Sequence, residues 1–287
     1  MHFQGNARVG IMLMLAGMLM FSLNDVMGKW LMGSYSVAQL MAVRSLSALV
    51  VLTPFLLRDG VARVWQVDRP ALQALRAGLL AVEGIGFYAA VAYLPLADVV
   101  TYWLAAPIYV AALAPLVLGE RVPAAVWAAI ALGFVGVVAA LEPSYDSLTP
   151  AAGIAMLGSA AIAGAMLLGR KLRGTPDTVM VGWQIGGALI ASGMLLALDA
   201  EAWHPTPPRD LMALCLLGVV AMLAHILVNR SFKHAEAAVV MPYQYSLLVW
   251  AIVFGAVFFD DSPRPAMLLG AGLIVASGLF IARLNRN

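Results

Sequence analysis

Charged residues are scarce in this chain: only 11% of its 287 residues are charged, where ordinary soluble domains carry about 25%. So few charges cannot cover the surface of a water-soluble domain of this length, which excludes that class of protein. Cysteine is almost absent, because Cys215 is the only one, so no intrachain disulfide can form and no redox site is indicated. A glycine-rich phosphate loop ending in Lys-Ser or Lys-Thr is also missing, which argues against ATP-driven transport by this chain alone.

Apolar residues make up 63% of the chain and gather in ten stretches joined by short connections. Each stretch has about 20 residues, which at 1.5 Å per residue matches a hydrocarbon core of about 30 Å. The stretches are Val9–Met32, Val37–Leu57, Ala71–Tyr93, Leu96–Leu118, Val122–Leu141, Ala151–Leu172, Thr178–Leu198, Asp210–Asn229, Ala237–Phe259 and Pro265–Leu284. The sequence therefore predicts an all-α polytopic membrane protein with ten transmembrane helices, whose functional residues must lie between the helices.

Basic residues indicate the orientation in the membrane. If the N-terminus is inside, most of the 17 basic residues lie on the cytoplasmic side, and only Lys29, Arg209 and Arg264 lie on the opposite side. Cytoplasmic loops carry such an excess of Lys and Arg. Both termini are therefore predicted to be cytoplasmic, in an integral protein of a bacterial plasma (inner) membrane.

The two halves of the chain show weak internal similarity. A shift of 142 residues places Lys29 on Lys171, and a shift of 138 places Asp98 on Glu236. With five spans in each half, the second half must enter the membrane from the opposite side, as in the inverted repeats of alternating-access carriers. The alternative is that two hydrophobic halves resemble each other through composition alone.

Three runs carry a family resemblance: MLMFSLNDVMGKWL, PLADVVTYWLAAPIYVAALAPLVLGERV and AAVVMPYQYSLLVWAIVFGAVFFDD. In these runs the chain resembles the EamA type of the drug/metabolite transporter superfamily, and the run Pro242–Ser246 is similar to its S-adenosylmethionine and riboflavin uptake subgroup. The resemblance implies two inverted five-helix repeats, residues 1–145 and 146–287, around a central cavity in one integrated transport domain. In the second repeat Asp260-Asp261 stands where the first has Gly119-Glu120, a departure from the family's pattern.

Asp25 and Arg44 form the clearest pair of candidate functional residues, because an ionisable group inside a membrane span is costly. Each lies seven residues from the outer end of its span, hence about 10 Å below the outer surface. One interpretation is a charged cavity wall that binds a carboxylate or a zwitterion. The other is a static ion pair between helices, or a bond from Asp25 to Lys29 one turn later.

Glu83 lies near the middle of the third span and is the candidate for coupling transport to a proton gradient, since a carboxyl can carry a proton. Alternatively, it stays protonated and bonds a neighbour. Asp98, at the start of the fourth span, is predicted to cap that helix.

Aromatic and amide side chains inside the spans predict a lined cavity for a planar or cationic organic solute. For any one of them, a packed helix interface is the alternative. Together with the charged pair, the candidate cavity residues are Asn24, Asp25, Arg44, Tyr88, Tyr102, Trp103, Trp183, Gln184, His225, Tyr243, Gln244 and Tyr245.

These observations favour a secondary active transporter of a small organic metabolite over two other classes. An intramembrane lipid-acting enzyme would need a metal site or a nucleophile–base pair, and a scaffold or receptor would not need buried charge beside an aromatic cavity. The predicted partners are a small-molecule substrate, the lipid bilayer and protons as the candidate coupling ion. Neither a cofactor, a metal, a catalytic residue nor a nucleic acid is predicted, and both a monomer and a homodimer remain open.

Overall fold

The computed structural model describes residues 3–60, 62–118, 124–141, 149–172, 174–234 and 240–284, and within these ranges it contains helices and no strands. The α-helices are α1 Phe3–Leu31, α2 Val37–Asp59, α3 Ala62–Trp65, α4 Pro70–Val91, α5 Leu96–Leu104, α6 Ala106–Leu118, α7 Ala124–Leu141, α8 Pro150–Lys171, α9 Asp177–Leu198, α10 Pro208–His234, α11 Ser246–Phe259 and α12 Pro265–Leu284. Two 3₁₀ helices, Ala200–Ala202 and Met241–Tyr245, complete the described elements.

Six of these helices are long and apolar enough to cross a membrane: α1, α2, α4, α8, α9 and α10. Shorter apolar helices of the described residues include Tyr243–Phe259 and Pro265–Ser277. The predicted fourth span divides into α5 and α6 at Ala105, and the ninth begins as a 3₁₀ helix.

Local sequence explains where several helices begin. The hydroxyl of Ser36 accepts a hydrogen bond from the amide of Gln39 at the start of α2, and the hydroxyl of Thr149 accepts one from Ala152 at the start of α8. Side-chain oxygens at this position satisfy amides that have no partner inside the helix. After α2 the chain turns at Gly60, whose φ of 94° suits glycine.

Helices of the two halves pack in a pattern that is unchanged when the halves are exchanged. α1 packs mainly on α10 and α4 on α8, while α2 packs on α9 and α7 on α12. In this comparison α1 corresponds to α8, α2 to α9, α4 to α10 and α7 to α12. Exchanging each helix for its counterpart turns the α1–α10 contact into the α4–α8 contact. The other two contacts map onto themselves, so the packing has the symmetry expected for two related repeats.

The α7–α12 contact is close because two glycines meet there. A Cβ atom added at Gly136 would lie 2.9 Å from the carbonyl oxygen of Gly270, and one added at Gly270 would collide with the backbone of Gly136 and Ala140. Small residues allow membrane helices to approach at the level of the backbone.

The loop between α1 and α2 is fixed to the connection that leads into α10. Tyr35 donates a 2.6 Å hydrogen bond to Asp210, and the fully buried Gln39 bonds the backbone of His204 and the hydroxyl of Thr206. The bond to Asp210 is the main reason why the pKa of Tyr35 rises to about 12. Tyr35 therefore remains a neutral donor at physiological pH.

Candidate functional site

A chain of hydrogen bonds joins four helices in the interior. Asn24 on α1 donates to the carbonyl of Leu217 on α10 at 2.8 Å. Tyr88 on α4 donates to the Asn24 side-chain oxygen at 2.7 Å and accepts from Arg44 on α2 at 2.9 Å. Asn24 and Tyr88 are 2% and 1% exposed, so each bond replaces solvation that these polar groups have lost.

Asp25 and Arg44 lie within electrostatic reach of each other, but they form no ion pair. Instead the Arg44 guanidinium bonds the Tyr88 hydroxyl and lies 5.3 Å from the centre of its ring. Asp25 is buried and makes no hydrogen bond with the part of the chain that the structure describes. Lys29, the alternative partner, instead bonds Asp261 at 2.8 Å.

Glu83 accepts a 2.7 Å hydrogen bond from the indole nitrogen of Trp103 on α5. The ring of Phe87 packs edge-on against both Trp103 and Tyr88, with centroid distances of 5.1 and 5.5 Å. The rings of Trp103, Phe87 and Tyr88 thus form a continuous set of contacts from Glu83 to Arg44, which bonds the Tyr88 hydroxyl. Glu83 also lies within electrostatic reach of Asp25 and Arg44.

His225 on α10 and Gln184 on α9 contribute polar groups from the second half of the chain. Their side-chain Nε2 atoms lie 2.9 Å apart, and Phe21 packs edge-on against the imidazole. With the amide as donor, the imidazole Nε2 accepts and the neutral ring carries its proton on Nδ1.

The polar side chains of both halves surround a cavity of about 50 Å³. Its polar lining includes Arg44, Glu83, Gln184 and His225, and its apolar lining includes Met41, Leu80, Ile185 and Met222. A volume of this size holds a few water molecules, whereas pockets for organic ligands measure about 300–1,000 Å³.

Glycines on neighbouring helices make space for three of these site residues. A Cβ at Gly28 would collide with the Tyr88 ring, and one at Gly158 would lie 2.5 Å from the indole of Trp103. A Cβ at Gly218 would collide with the carbonyl of Arg44. Sequence reasoning missed these positions, although glycines inside apolar spans were a usable signal of close approach.

Nine of the candidate residues do not line this cavity: they are Asn24, Asp25, Tyr88 and Trp103, described above, and five more, Trp183, Tyr102, Tyr243, Gln244 and Tyr245. Trp183 donates to the carbonyl of Val64 at 2.8 Å and packs on Trp65, beside the short helix α3. The other four are Tyr102, which is partly buried against the core, Tyr243, which is 36% exposed, Gln244, which is half-buried, and Tyr245, which is 8% exposed.

Two ion pairs connect helices at the far end of α1. Lys29 bonds Asp261 at 2.8 Å and lies over the ring of Phe259, and Arg264 bonds Asp98 at 3.0 Å. The prediction that Asp98 caps α5 is wrong: the residue before this helix is Pro95, which provides no side-chain hydrogen bond. Asp98 lies inside the first turn, where Arg264 is within its reach.

Comparison with known proteins identifies relatives along almost the whole chain. The model of the EamA-like transporter family matches twice, at residues 8–141 and 149–283. A riboflavin transporter of Rhizobium johnstonii is 30% identical over 96% of this chain and 92% of its own length. The pseudopaline exporter CntI of Pseudomonas aeruginosa is 25% identical over 96% and 97%, and an S-adenosylmethionine uptake transporter of Rickettsia prowazekii is 26% identical over 95% and 92%.

The fold is also found among solved structures, and one crystal structure illustrates it. It superposes with a TM-score of 0.70 over 96% of this chain and 97% of its own, at 18% sequence identity.

Proposed function

The chain belongs to the EamA-like transporter family, and we propose that it is a secondary carrier that moves a small organic metabolite across the membrane by alternating access. It is an integral inner-membrane protein, like the bacterial transporters that it resembles. The observation that carries the proposal is the polar cavity between the halves, which α2 and α4 line from one side and α9 and α10 from the other.

Ten spans in two inverted five-helix repeats, with both termini in the cytoplasm, are the architecture that we propose. The twofold match of the family model supports it, because each matched segment covers five of the apolar stretches. The exchange-symmetric packing of α1 on α10 and α4 on α8 supports it as well. An odd number of spans in each repeat requires the second repeat to be inverted.

The size of the cavity supports alternating access. About 50 Å³ is far too small for a metabolite, so the helices around it must separate before a solute can enter. The cavity lies between helices of different halves, so rocking of one half against the other would open it to either side.

The proposed substrate is an amino-acid-like, zwitterionic or aromatic amphipathic solute. Arg44 offers a positive charge at the cavity, and Trp103, Phe87 and Tyr88 form an aromatic group beside it. A guanidinium suits a carboxylate, and aromatic rings suit a planar body or a cation. Relatives named for riboflavin and S-adenosylmethionine transport support these chemical classes.

Proton coupling through Glu83 is the finer part of the proposal. Two carboxyls, Asp25 and Glu83, and one guanidinium, Arg44, lie within electrostatic reach of one another in the interior. With both carboxyls ionised the group has one excess negative charge, and one bound proton removes it. A buried net charge is unfavourable, so this group is suited to exchanging one proton during the cycle.

The first test is a thermal-shift screen of the detergent-purified protein against amino acids, S-adenosylmethionine, riboflavin and quaternary amines. A ligand at a hundredfold excess over its Kd stabilises the native state by about 2.7 kcal/mol. We expect at least one hit, and we expect Arg44→Ala to abolish the shift while changing the melting temperature of the free protein less.

Arg58→Ala is the matched control, because Arg58 is exposed at the other end of α2, and it should keep the hit. A screen without hits, together with no solute accumulation in proteoliposomes, would contradict a carrier and favour a non-transporting scaffold or receptor. A hit that survives Arg44→Ala unchanged would remove Arg44 from the substrate site.

A further inference from the structure

Arg76 on α4 is a cation in the interior that the site described above does not use. It is half-buried, and its Nε and Nη1 atoms are out of contact with solvent and have no hydrogen-bond partner among the described residues. Guanidinium carries five N–H donors and stays charged in proteins. Leaving two of its nitrogens buried and unpaired is therefore a substantial cost.

None of the acids in the part of the chain that the structure describes forms an ion pair with this cation. The ion pairs that the described residues form with one another are Lys29–Asp261 and Arg264–Asp98, and both lie at the opposite end of α4 from Arg76. Arg76 approaches α8 at Gly169, where an added Cβ would lie 3.6 Å from Arg76 Nε. The guanidinium thus lies against a helix surface without a side chain, inside the protein.

Arg76 continues the face of α4 that lines the cavity. Leu80 and Glu83 line the cavity and follow Arg76 by four and seven residues, the spacings that share one face of a helix. Along the axis, Arg76 lies about 10 Å from Glu83, toward the Pro70 end of α4. That end is the cytoplasmic one in the proposed topology.

Arg76 and Arg44 act on the same part of the cavity. Both guanidinium groups lie within electrostatic reach of the His225 ring, which lines the cavity. Arg44 approaches from α2 and Arg76 from the cytoplasmic half of α4. An anionic group that moves from the cavity toward the cytoplasm would therefore pass from one fixed cation to the next.

We propose that Arg76 is a second substrate-binding residue, which takes the carboxylate of the transported solute in the cytoplasmic half of the pathway. The carried solute is then a carboxylate-bearing metabolite rather than a neutral flavin. This proposal rests on the proposed carrier function and specifies its substrate class. A carboxylate would supply the hydrogen bonds that Nε and Nη1 lack, with the strength of a charge-assisted contact.

The test compares S-adenosylmethionine with its decarboxylated analogue, two probes that differ by the carboxylate, and with riboflavin as a neutral probe. Counterflow in proteoliposomes is measured for wild type, Arg76→Gln and Arg76→Lys. Arg69→Gln is the matched control, since Arg69 is exposed immediately before α4. Melting temperatures of all variants identify any that fail to fold.

We expect wild type to prefer S-adenosylmethionine over the decarboxylated analogue by about tenfold, the effect of one charge-assisted hydrogen bond. Arg76→Gln should lower that preference severalfold, while Arg44 retains the remainder, and should leave transport of the decarboxylated analogue within about twofold of wild type. Arg76→Lys should restore part of the preference because it keeps the charge. Arg69→Gln should behave like wild type.

Three results would overturn the role of Arg76 while leaving a carrier in place. These are equal transport of the two adenosyl compounds by wild type, transport of riboflavin alone, and an unchanged preference in a folded Arg76→Gln variant. An effect of Arg76→Gln on thermal stability in anionic-lipid vesicles, without any change in preference, would instead assign the guanidinium to a lipid phosphate. If wild type transports none of the three probes, the carrier function is contradicted for these solutes, and the role of Arg76 is contradicted with it.

Discussion

Glu83 shows what a single side chain contributes to the site. Its Oε1 atom accepts the indole N–H of Trp103, and the carboxyl also lines the cavity between the halves. A carboxyl so placed is held in position by an aromatic donor and is still accessible from the cavity. Position and access together are what a group needs in order to exchange a proton with a passing solute.

Glu83→Gln separates proton coupling from structure. The glutamine oxygen can still accept the Trp103 N–H, but the amide cannot carry a proton. We therefore expect the variant to lose pH-gradient-driven accumulation in proteoliposomes, by about tenfold or more, while counterflow exchange of the same solute continues. Measuring both modes on the same preparation distinguishes lost coupling from a misfolded protein.

Gln184→Ala serves as the comparison, because it removes a polar cavity residue that carries no proton. It should lower both transport modes together. If Glu83→Gln accumulates solute as wild type does, the coupling group lies elsewhere, and Asp25 becomes the next carboxyl to substitute.

The sequence identified candidate site residues more reliably than it identified their hydrogen-bond and ion-pair partners. Three residues, Asn24, Arg44 and Glu83, stand out because a polar or ionisable group inside an apolar span is energetically costly and is usually functional. Their bonding could not be predicted, since the nearest opposite charge along the chain does not decide it: Arg44 bonds Tyr88 rather than Asp25, and Lys29 bonds Asp261, 232 residues away. Tertiary packing determines which partner each side chain bonds.

At the scale of helices, hydropathy predicted most bounds to within a few residues. α2 and α9, for example, begin at Val37 and Asp177, where the apolar stretches were expected to begin at Val37 and Thr178. The break between α5 and α6 was not predicted, because the predicted apolar stretch runs through Ala105 without interruption. A hydropathy pattern predicts which segments lie in the lipid, but it does not predict where the backbone bends or breaks within such a segment.

Gly270→Ala tests the closest helix contact. The added methyl group would collide with the backbone of Gly136 and Ala140, and overpacking of this kind costs about 1–3 kcal/mol. We expect a lower melting temperature in detergent. Gly272→Ala on the same helix is the control, because nothing lies within 4 Å of its added Cβ and alanine favours a helix by up to about 1 kcal/mol. Equal melting temperatures for the two variants would show that α7 and α12 separate at little cost.

For the whole molecule, a weak sequence repeat predicted two related halves, and the family model indeed matches twice, while the inversion of the second half stays a prediction. The packing symmetry of α1 on α10 and α4 on α8 was not predicted, because it is a property of contacts between distant segments. The expected boundary between residues 145 and 146 lies outside the described residues, so the division into 1–145 and 146–287 stays a prediction.

Sidedness of labelling tests the topology. In a Cys215→Ser background, Gly33→Cys places a thiol in the exposed loop after α1, and Asp68→Cys places one in the exposed segment before α4. A membrane-impermeant maleimide should label the first variant in intact cells and the second only after permeabilisation. The reverse pattern would place both termini outside.

The small interior cavity also bears on how well the membrane stays insulated. A file of hydrogen-bonded waters across a hydrocarbon core of about 30 Å needs roughly ten molecules at hydrogen-bond spacing. A cavity of about 50 Å³ holds only a few of them. The waters that this cavity can hold are therefore too few to conduct protons or ions across the membrane, so the cavity by itself does not dissipate the electrochemical gradients of the cell while the carrier is idle.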